Sequence, residues 1–472
     1  MIRVLFLILF PIWVSGQGID TTQVFSLERY LGWVRTYHPV MQQAALLENQ
    51  ANASVLEARG VFDPKWFGDY EDKSFDQKNY FRIGEAGLKV PVWWGADIKV
   101  AYLWSNGTFL NPEANLPANG QAVLGIEVPL LQGLTFDQRR AQVKQARLLK
   151  DANEATRRVI VNELLVKAIE TYWNWAFHYQ VLGINANALE LAEIRFENIK
   201  QSFLQGDKPA IDTLESLIQI QNIQIRYNEA IVAFQNMSLE LSNFLWFENL
   251  TPLEVSSNLR PEDLEQFWDF RSERPTNDFF RNITQTHPEL QSILVKQEQL
   301  NIKERLKREQ FKPNLRFDYN FLGDGFDWTP AAGSDASPFN NLVTENYKWG
   351  LTFSYPLLLR KERGGLELVR LDQLDNQYKL REKELKIKNK VNAIFQQIEI
   401  TYAQLQTLQA TVSNYEKLLE AENIKFRIGE SSIFLLNSRE QKLIDAQLKL
   451  KKQQAEFQKL RWKLEWAKGM LR

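Results

Sequence analysis

Two very long stretches of this chain repeat apolar residues at alternating intervals of three and four positions. They run from about Thr135 to Gln205 and from about Arg363 to Ile428, and neither contains a proline. This spacing places an apolar stripe along one side of a helix, as in coiled coils. A helix of about 70 residues is about 100 Å long, so the pattern predicts helices far longer than the average. The second stripe contains Leu371, Leu374, Tyr378, Leu385, Val391, Phe395, Ile398, Tyr402, Leu405 and Val412.

Each long stretch ends at a short turn that contains a glycine, and a second helical stretch follows each turn. The turns contain Gly206 and Gly429, and the following stretches cover about 210–247 and 433–468. A glycine just beyond a helix commonly adopts the left-handed conformation that ends it. We therefore predict two antiparallel helix pairs, each with a sharp tip.

Four shorter segments alternate apolar and polar residues, which predicts half-buried strands. They cover about 96–104, 122–128, 315–322 and 347–355. Pro129 and Pro356 close the second strand of each pair, because proline cannot donate to a strand ladder. Residues 66–92 hold further strand-like pieces, and two placements are open for them: a hairpin beside the other strands, or a longer first strand.

The order of these elements occurs twice in the chain, which indicates an internal duplication. In each half a His-Pro dipeptide opens a helical stretch, and a further proline follows twenty-five residues after the first. The markers are His38, Pro39 and Pro64 in the first half, and His287, Pro288 and Pro313 in the second. We divide the chain into a first repeat over 17–249, a polar linker over 250–275 and a second repeat over 276–472. We interpret the two histidines as helix-capping and packing residues, since no Cys or acidic partner completes a metal site at typical spacing.

The first residues are typical of a secretory signal peptide, predicted over residues 1–16. Arg3 precedes an apolar stretch, and small residues follow it at Ser15 and Gly16. The chain contains no cysteine. This excludes disulfides, thiolate metal sites and catalytic Cys, and we expect no lipid anchor on a mature N-terminal Cys. No stretch approaches eighteen consecutive apolar residues, so no transmembrane helix is predicted.

Charge and motifs exclude several classes of function. The formal net charge is −1, and no concentrated basic face supports nucleic-acid binding. No phosphate-binding loop, dinucleotide fingerprint, nucleophile elbow or zinc-protease motif occurs. We therefore expect no catalysis, no cofactor and no metal.

Four half-apolar strands cannot close a membrane barrel alone, because the smallest known barrels have eight. Lipid does not tolerate open strand edges, and three copies would supply twelve strands. Aromatic residues near the strand ends are typical of interfacial girdles; they are Trp93, Trp94, Trp104, Trp328, Tyr347, Trp349 and Tyr355. The inner face of a soluble β-sandwich would show the same alternation of apolar and polar residues.

Two other kinds of protein would explain part of the pattern. A soluble periplasmic coiled-coil scaffold would explain the helices but not the strands. A monomeric porin would explain the strands but not the helices.

With its paired His-Pro helices, strand pairs and glycine tips in doubled order, the chain resembles the TolC-type outer-membrane efflux proteins (outer membrane factors). The resemblance covers essentially all of the mature chain. It implies an α+β membrane protein in which a trimeric twelve-stranded β-barrel continues into a periplasmic α-helical coiled-coil barrel, with the linker in an equatorial collar. The implied function is an exit duct across the outer membrane and periplasm for efflux or type I secretion. A periplasmic adaptor would open the duct and an inner-membrane transporter would drive it.

The resemblance also implies two sets of site residues. Adaptor contacts would lie at the second tip, on Phe426, Arg427, Gly429 and Ser431. The first tip keeps Gly206 and Asp207 but lacks the arginine, so the implied contact is weaker there. Acidic residues shortly before the second tip would narrow the entrance; the candidates are Glu416, Glu420 and Glu422. The family often has Asp at the entrance, and a solvated helix face is the alternative.

Overall fold

A computed structural model describes residues 24–256, 258–265, 268–324 and 346–471. The predicted signal peptide and Trp328 lie outside the described residues. The helices are α1 Leu27–Tyr37, α2 Pro39–Arg59, α3 Gln138–Leu204, α4 Ala210–Ser242, α5 Asn277–Thr286, α6 Pro288–Glu309, α7 Arg360–Arg427 and α8 Ile433–Ala467. Within the described part of the chain, none of these helices has both the length and the apolar character needed to cross a membrane.

Among the described residues, six long strands form one antiparallel sheet, and four short strands form two small ladders. The strands are β1 Val24–Phe25, β2 Lys65–Phe75, β3 Lys78–Pro91, β4 Asp97–Asn106, β5 Gln121–Pro129, β6 Trp246–Phe247, β7 Thr251–Pro252, β8 Arg260–Pro261, β9 Asn314–Asp324 and β10 Tyr347–Ser354. The order in the large sheet is β10-β9-β5-β4-β3-β2. In the small ladders β1 pairs with β8, in parallel, and β6 pairs with β7.

The large sheet has two more strands than the sequence pattern predicted. The four predicted segments correspond to β4, β5, β9 and β10, while β2 and β3 form a hairpin from the segment left unplaced. Of the two placements left open for residues 66–92, the structure shows the hairpin beside the other strands. Glycines interrupt the alternation in this hairpin. At Gly84 a Cβ atom would lie 2.1 Å from the ring of Trp104, so the glycine makes room for a cross-strand indole.

The backbone divides into two compact units. The sheet unit consists of Ala45–Val159 and Arg281–Lys386, and the helical unit consists of the residues up to Ala44, Ile160–Phe280 and the chain from Ile387 onward. The whole six-stranded sheet belongs to the sheet unit. The helices α3 and α7 contribute their first parts to the sheet unit and their remaining parts to the helical unit.

Aromatic residues of α3 form the centre of the helical unit. Trp175 is fully buried, and so is Tyr172. The Tyr172 hydroxyl donates to the carbonyl of Phe25 at 2.6 Å and accepts from the backbone N–H of Glu262 at 3.0 Å. Burial raises the pKa of Tyr172 well above its ordinary value, so the hydroxyl keeps its proton. The linker segment is thereby fixed to the core of this unit.

The two His-Pro histidines cap helices. The Nδ1 atom of His38 accepts from the backbone N–H of Val40 at 3.2 Å, and that of His287 accepts from Glu289 at 3.3 Å. Burial lowers the pKa of His38, which favours the neutral imidazole that can accept this bond. The capping interpretation is confirmed. Each half contains the predicted helix, strand pair, long helix, turn and second helix, so the duplicated architecture is confirmed as well.

Candidate functional site: the helix tips and the two-faced sheet

The two helix tips have the same backbone geometry. At the first, Gly206 has φ +84° and donates to Phe203, while Asp207 donates to Ser202 at 2.9 Å. At the second, Gly429 has φ +81° and donates to the carbonyl of Phe426, and the next residue donates to that of Lys425 at 2.9 Å. This is the Schellman arrangement, in which two bonds satisfy the last carbonyls of the helix. The prediction that these glycines end the helices is confirmed.

Side chains join the two tips to each other. A buried apolar cluster contains Ile199 from α3, Ile433 and Leu436 from α8, and the half-buried ring of Phe426 packs against it. On this ring lies the Lys208 ammonium of the first tip, 4.5 Å from the ring centroid. An ammonium over an aromatic face contributes about 0.5–1 kcal/mol at an exposed site. The tips therefore form one local structure.

A groove of about 670 Å³ runs beside the tips. Leu191, Ile194, Lys208, Phe426, Arg427 and Leu436 are among its lining residues. Of the predicted adaptor-contact residues, Arg427, Gly429, Gly206 and Asp207 are exposed, whereas Phe426 and Ser431 are half-buried. The structure therefore presents most of the predicted set to solvent, next to a groove lined by both apolar and charged residues.

The three predicted entrance carboxylates do not share one environment. Glu416 and Glu420 are exposed and line the same groove. Glu422 is only 8% exposed, and its carboxylate accepts from the Ser431 hydroxyl at 2.5 Å and lies 3.6 Å from Arg439. In the single chain this carboxylate is therefore engaged within its own tip, and the entrance role of the three residues stays a prediction.

A buried ion pair below the tips escaped the sequence analysis. Arg195 of α3 binds both carboxylate oxygens of Glu440 of α8, at 2.5 and 2.8 Å, and also contacts Asn437 at 3.3 Å. Two parallel charge-assisted bonds of this kind also fix the geometry of the pair. The sequence did contain a signal for this ion pair. Arg195 lies on the same face of α3 as the small buried residues Ala188 and Ala192, so a charged side chain occurs on a buried face.

One row across the sheet is apolar on every strand. The residues directly opposite one another, from β2 to β10, are Trp66, Leu88, Val100, Leu124, Phe321 and Tyr347. Because side chains alternate between the faces of a sheet, every second residue along each strand shares this face. It includes Tyr70, Trp349 and Leu351, which are all more than half exposed.

The neighbouring row lies on the opposite face and is polar. Its members are Lys65, Lys89, Lys99, Gly125, Asn320 and Lys348. Acidic residues on this face balance the lysines: Lys89 lies 3.2 Å from Asp97 and 3.4 Å from Glu127, and Lys99 pairs with Glu85. The sheet thus has one apolar and one charged face.

The apolar stripe of α7 changes character along the helix. In the sheet unit, Leu371, Tyr378 and Leu385 are all more than half exposed. In the helical unit, Val391 and Phe395 of the same stripe are buried. A contiguous exposed apolar stripe on a helix typically marks an interaction surface.

The described residues contain no cluster of three or more His, Asp or Glu side chains arranged to hold a metal ion. His38 and His287 accept backbone N–H bonds as helix caps.

The fold is shared with solved outer-membrane channels. The CmeC outer membrane channel of Campylobacter jejuni has 14% sequence identity and a TM-score of 0.64, covering 94% of this chain and 85% of that one. VceC from Vibrio cholerae has 12% identity and a TM-score of 0.63, covering 94% and 95%. The open state of the MtrE channel of Neisseria gonorrhoeae has 12% identity and a TM-score of 0.65, covering 94% and 89%. At these identities the likeness shows the fold.

In sequence, residues 281–465 match the family described as outer membrane efflux protein, and these residues lie in the second repeat. No curated protein matches the sequence. The family match of the second repeat and the shared fold confirm the resemblance to the TolC-type outer-membrane efflux proteins that the sequence predicted.

Proposed function

We propose that this protein is the passive exit duct of a tripartite efflux or type I secretion system, working as a homotrimer in the outer membrane and extending into the periplasm. The two-faced sheet carries the proposal. If water lay on both faces of the sheet, the apolar row would be exposed to it. If the sheet is a barrel wall, lipid covers the apolar row and the water-filled interior hydrates the polar row. No catalytic step is required of the duct, because the energy comes from an inner-membrane transporter.

The exposed stripe of α7 supports assembly with further copies. Complete burial of one leucine side chain in an interface stabilises the assembly by about 1.5–3 kcal/mol, compared with a leucine left exposed to water. Leu371, Leu374, Tyr378 and Leu385 all lie more than two-fifths exposed in the single chain. In the trimer these side chains pack against helices of the neighbouring copies.

Membrane fractionation and chemical crosslinking test this function. The expected result is a protein that sediments with outer membranes, resists extraction by carbonate and crosslinks to a trimer. A soluble monomer would contradict the channel and would favour a periplasmic coiled-coil scaffold.

The periplasmic adaptor docks at the second tip, on the exposed Arg427, which lines the groove. Arg427→Glu should abolish adaptor capture, because the substitution reverses the charge at the docking site. The trimer should still assemble, because Arg427 is an exposed residue. The control is Lys417→Glu, which makes the same charge change at an exposed position of α7 away from the tip. Co-purification with the adaptor is the measurement, and equal capture by both variants would contradict this docking site.

Glu416 and Glu420 are the two exposed members of the predicted entrance set. In a trimer each would form a ring of three like charges, which favours cations and repels anions. The double variant Glu416→Gln/Glu420→Gln should lower the preference for cations, measured as the reversal potential of single channels in a salt gradient. An unchanged reversal potential would leave these residues as a solvated helix face.

A further inference from the structure

The second junction, residues 355–363, connects β10 to the first turn of α7. It leaves two leucines in solvent, since Leu357 is 91% exposed and Leu358 is 65% exposed. The next residue, Leu359, has a φ of +50°, and a leucine adopts this left-handed conformation only at an energetic cost. Exposed apolar side chains beside a strained backbone indicate a surface that meets something outside the chain.

Three cations follow the leucines within the second junction. Arg360, Lys361 and Arg363 are all exposed, and Glu362 is the acidic residue between them. None of the three cations forms an ion pair within the described residues. Positive charge in the first turn of a helix is unfavourable in itself, so the local structure of α7 does not account for this cluster. An anionic partner outside the chain would compensate it.

The corresponding junction of the first repeat, between β5 and α3, compensates its charges within the chain. The two leucines that follow Pro129 are only 39% and 40% exposed. Arg139 lies 2.7 Å from Asp97. Arg140 lies 3.1 Å from Asp137. The duplication thus produced one junction whose cations are neutralised internally and a second whose cations and leucines are open.

The position of the second junction in the fold identifies what covers it. The strands that end at Pro129 and Ser354 both pair with the start of β9, so both junctions lie at one edge of the sheet. The β3–β4 turn lies at this edge too, and its Trp93 and Trp94 are about half exposed. In the proposed channel, lipid covers the apolar face of the sheet and α7 continues into the periplasm. This edge therefore lies at the periplasmic surface of the bilayer, where exposed Trp side chains are typical and where phospholipid headgroups lie.

We propose that the second junction binds an anionic phospholipid of the periplasmic leaflet. Leu357 and Leu358 contact the acyl chains, and Arg360, Lys361 and Arg363 bind the headgroup phosphate. Arginine offers paired donors that match phosphate oxygens, and basic clusters at a membrane surface favour anionic headgroups over zwitterionic ones. This inference rests on the proposed channel, because only a protein in the membrane meets this lipid. One site in each copy gives three bound lipids in the trimer.

Lipid binding by the purified trimer tests the cations. The trimer in detergent is mixed with phosphatidylglycerol, or with zwitterionic phosphatidylcholine of the same acyl chains, and native mass spectrometry counts the bound lipids. The parent should hold three molecules of phosphatidylglycerol and lose phosphatidylcholine. The triple variant Arg360→Gln/Lys361→Gln/Arg363→Gln should bind phosphatidylglycerol about tenfold more weakly. The double variant Arg360→Lys/Arg363→Lys keeps the charge and should retain most of the binding.

The matched control removes three positive charges from the other end of the fold. Lys442, Lys449 and Lys452 are exposed on α8, and Lys442→Gln/Lys449→Gln/Lys452→Gln should bind phosphatidylglycerol as the parent does. Equal loss in both triple variants would show a general effect of charge and would overturn the inference. Undiminished binding in the triple variant of the second junction would overturn it as well.

A photo-crosslinking amino acid in place of Leu357 tests the leucines in whole cells. The expected product is a phospholipid adduct on a single chain. A covalent link to a second copy would show that a neighbouring chain covers the second junction, which overturns the inference. An outer-membrane trimer that binds both lipids equally contradicts this inference alone, whereas a chain that never enters the outer membrane contradicts the proposed channel itself.

Discussion

The two helix tips share a backbone and differ in the side chains beneath it. Counted from the capping glycines, Ile199 in the first tip corresponds to Glu422 in the second, and both positions are buried. Likewise Ser216 corresponds to Arg439. The first tip thus has an apolar residue where the second has a carboxylate paired with an arginine. The duplication kept the turn, which only glycine makes without strain, and changed what holds the turn in place.

The difference also extends to the start of the returning helix. Ser432 caps α8, since its hydroxyl accepts from the backbone N–H of Leu435 at 3.3 Å. The corresponding Pro209 precedes α4 and offers no side-chain cap. Side-chain hydrogen bonds therefore hold the second tip to α7 and α8, whereas the first depends on its backbone bonds, on the packing of Ile199 and on Lys208. We expect the second tip to be the more rigid of the two.

Removal of the carboxylate should have the largest effect on this difference. Glu422→Ala leaves the Ser431 hydroxyl without its acceptor and removes the carboxylate that lies 3.6 Å from the Nε atom of Arg439. The expected loss is about 2 kcal/mol of local stability. This corresponds to amide exchange about 30-fold faster at the second tip, measured by hydrogen–deuterium exchange.

The double variant Glu422→Ile/Arg439→Ser provides the control, because it gives the second tip the residue pair of the first. It should recover most of the lost protection. Unchanged exchange in Glu422→Ala would mean that the carboxylate does not hold the tip.

Alanine at either capping glycine should have a smaller effect, and the same at both tips. No atom lies within 4 Å of the Cβ position at Gly206 or Gly429, so the cost comes from the left-handed backbone alone, about 1–2 kcal/mol. Gly206→Ala and Gly429→Ala should therefore lower the protection of their own tips equally. A clear inequality would show that the two turns are not equivalent in backbone strain.

The smallest effect is expected at the helix starts. Ser432→Ala should cost about 1 kcal/mol through the lost cap. Pro209→Ser supplies a cap of similar value but loses about 0.4–1 kcal/mol of chain stiffness in the unfolded state, so it should change stability little. Thermal unfolding of the two variants measures both effects. A Pro209→Ser variant much more stable than the parent would indicate that the missing cap alone weakens the first tip.

Much of the fold could be predicted because its signals are local. Apolar spacing and the absence of proline predict α3 and α7, and glycine placement predicts both tips. The β2–β3 hairpin was left unplaced because Gly68, Gly84 and Gly87 interrupt its alternation. Their purpose becomes visible only when the cross-strand neighbour is known, as with the Trp104 ring over Gly84.

The role of a helical position depends on partners that periodicity does not specify. Glu416, Glu420 and Glu422 look alike in sequence, yet only Glu422 meets Ser431 and Arg439. For the same reason, one uniform stripe predicts α7 without revealing that Tyr378 is exposed in the single chain while Phe395 is buried.

The shared turn and the divergent side chains also determine the symmetry that a partner meets. In the proposed trimer, three copies present six tips with one backbone shape, alternating between two chemical kinds. A partner that recognises only the turn finds six equivalent positions, whereas one that recognises Arg427 finds three. The stoichiometry of an assembly on this end of the channel is then determined by which feature the partner reads.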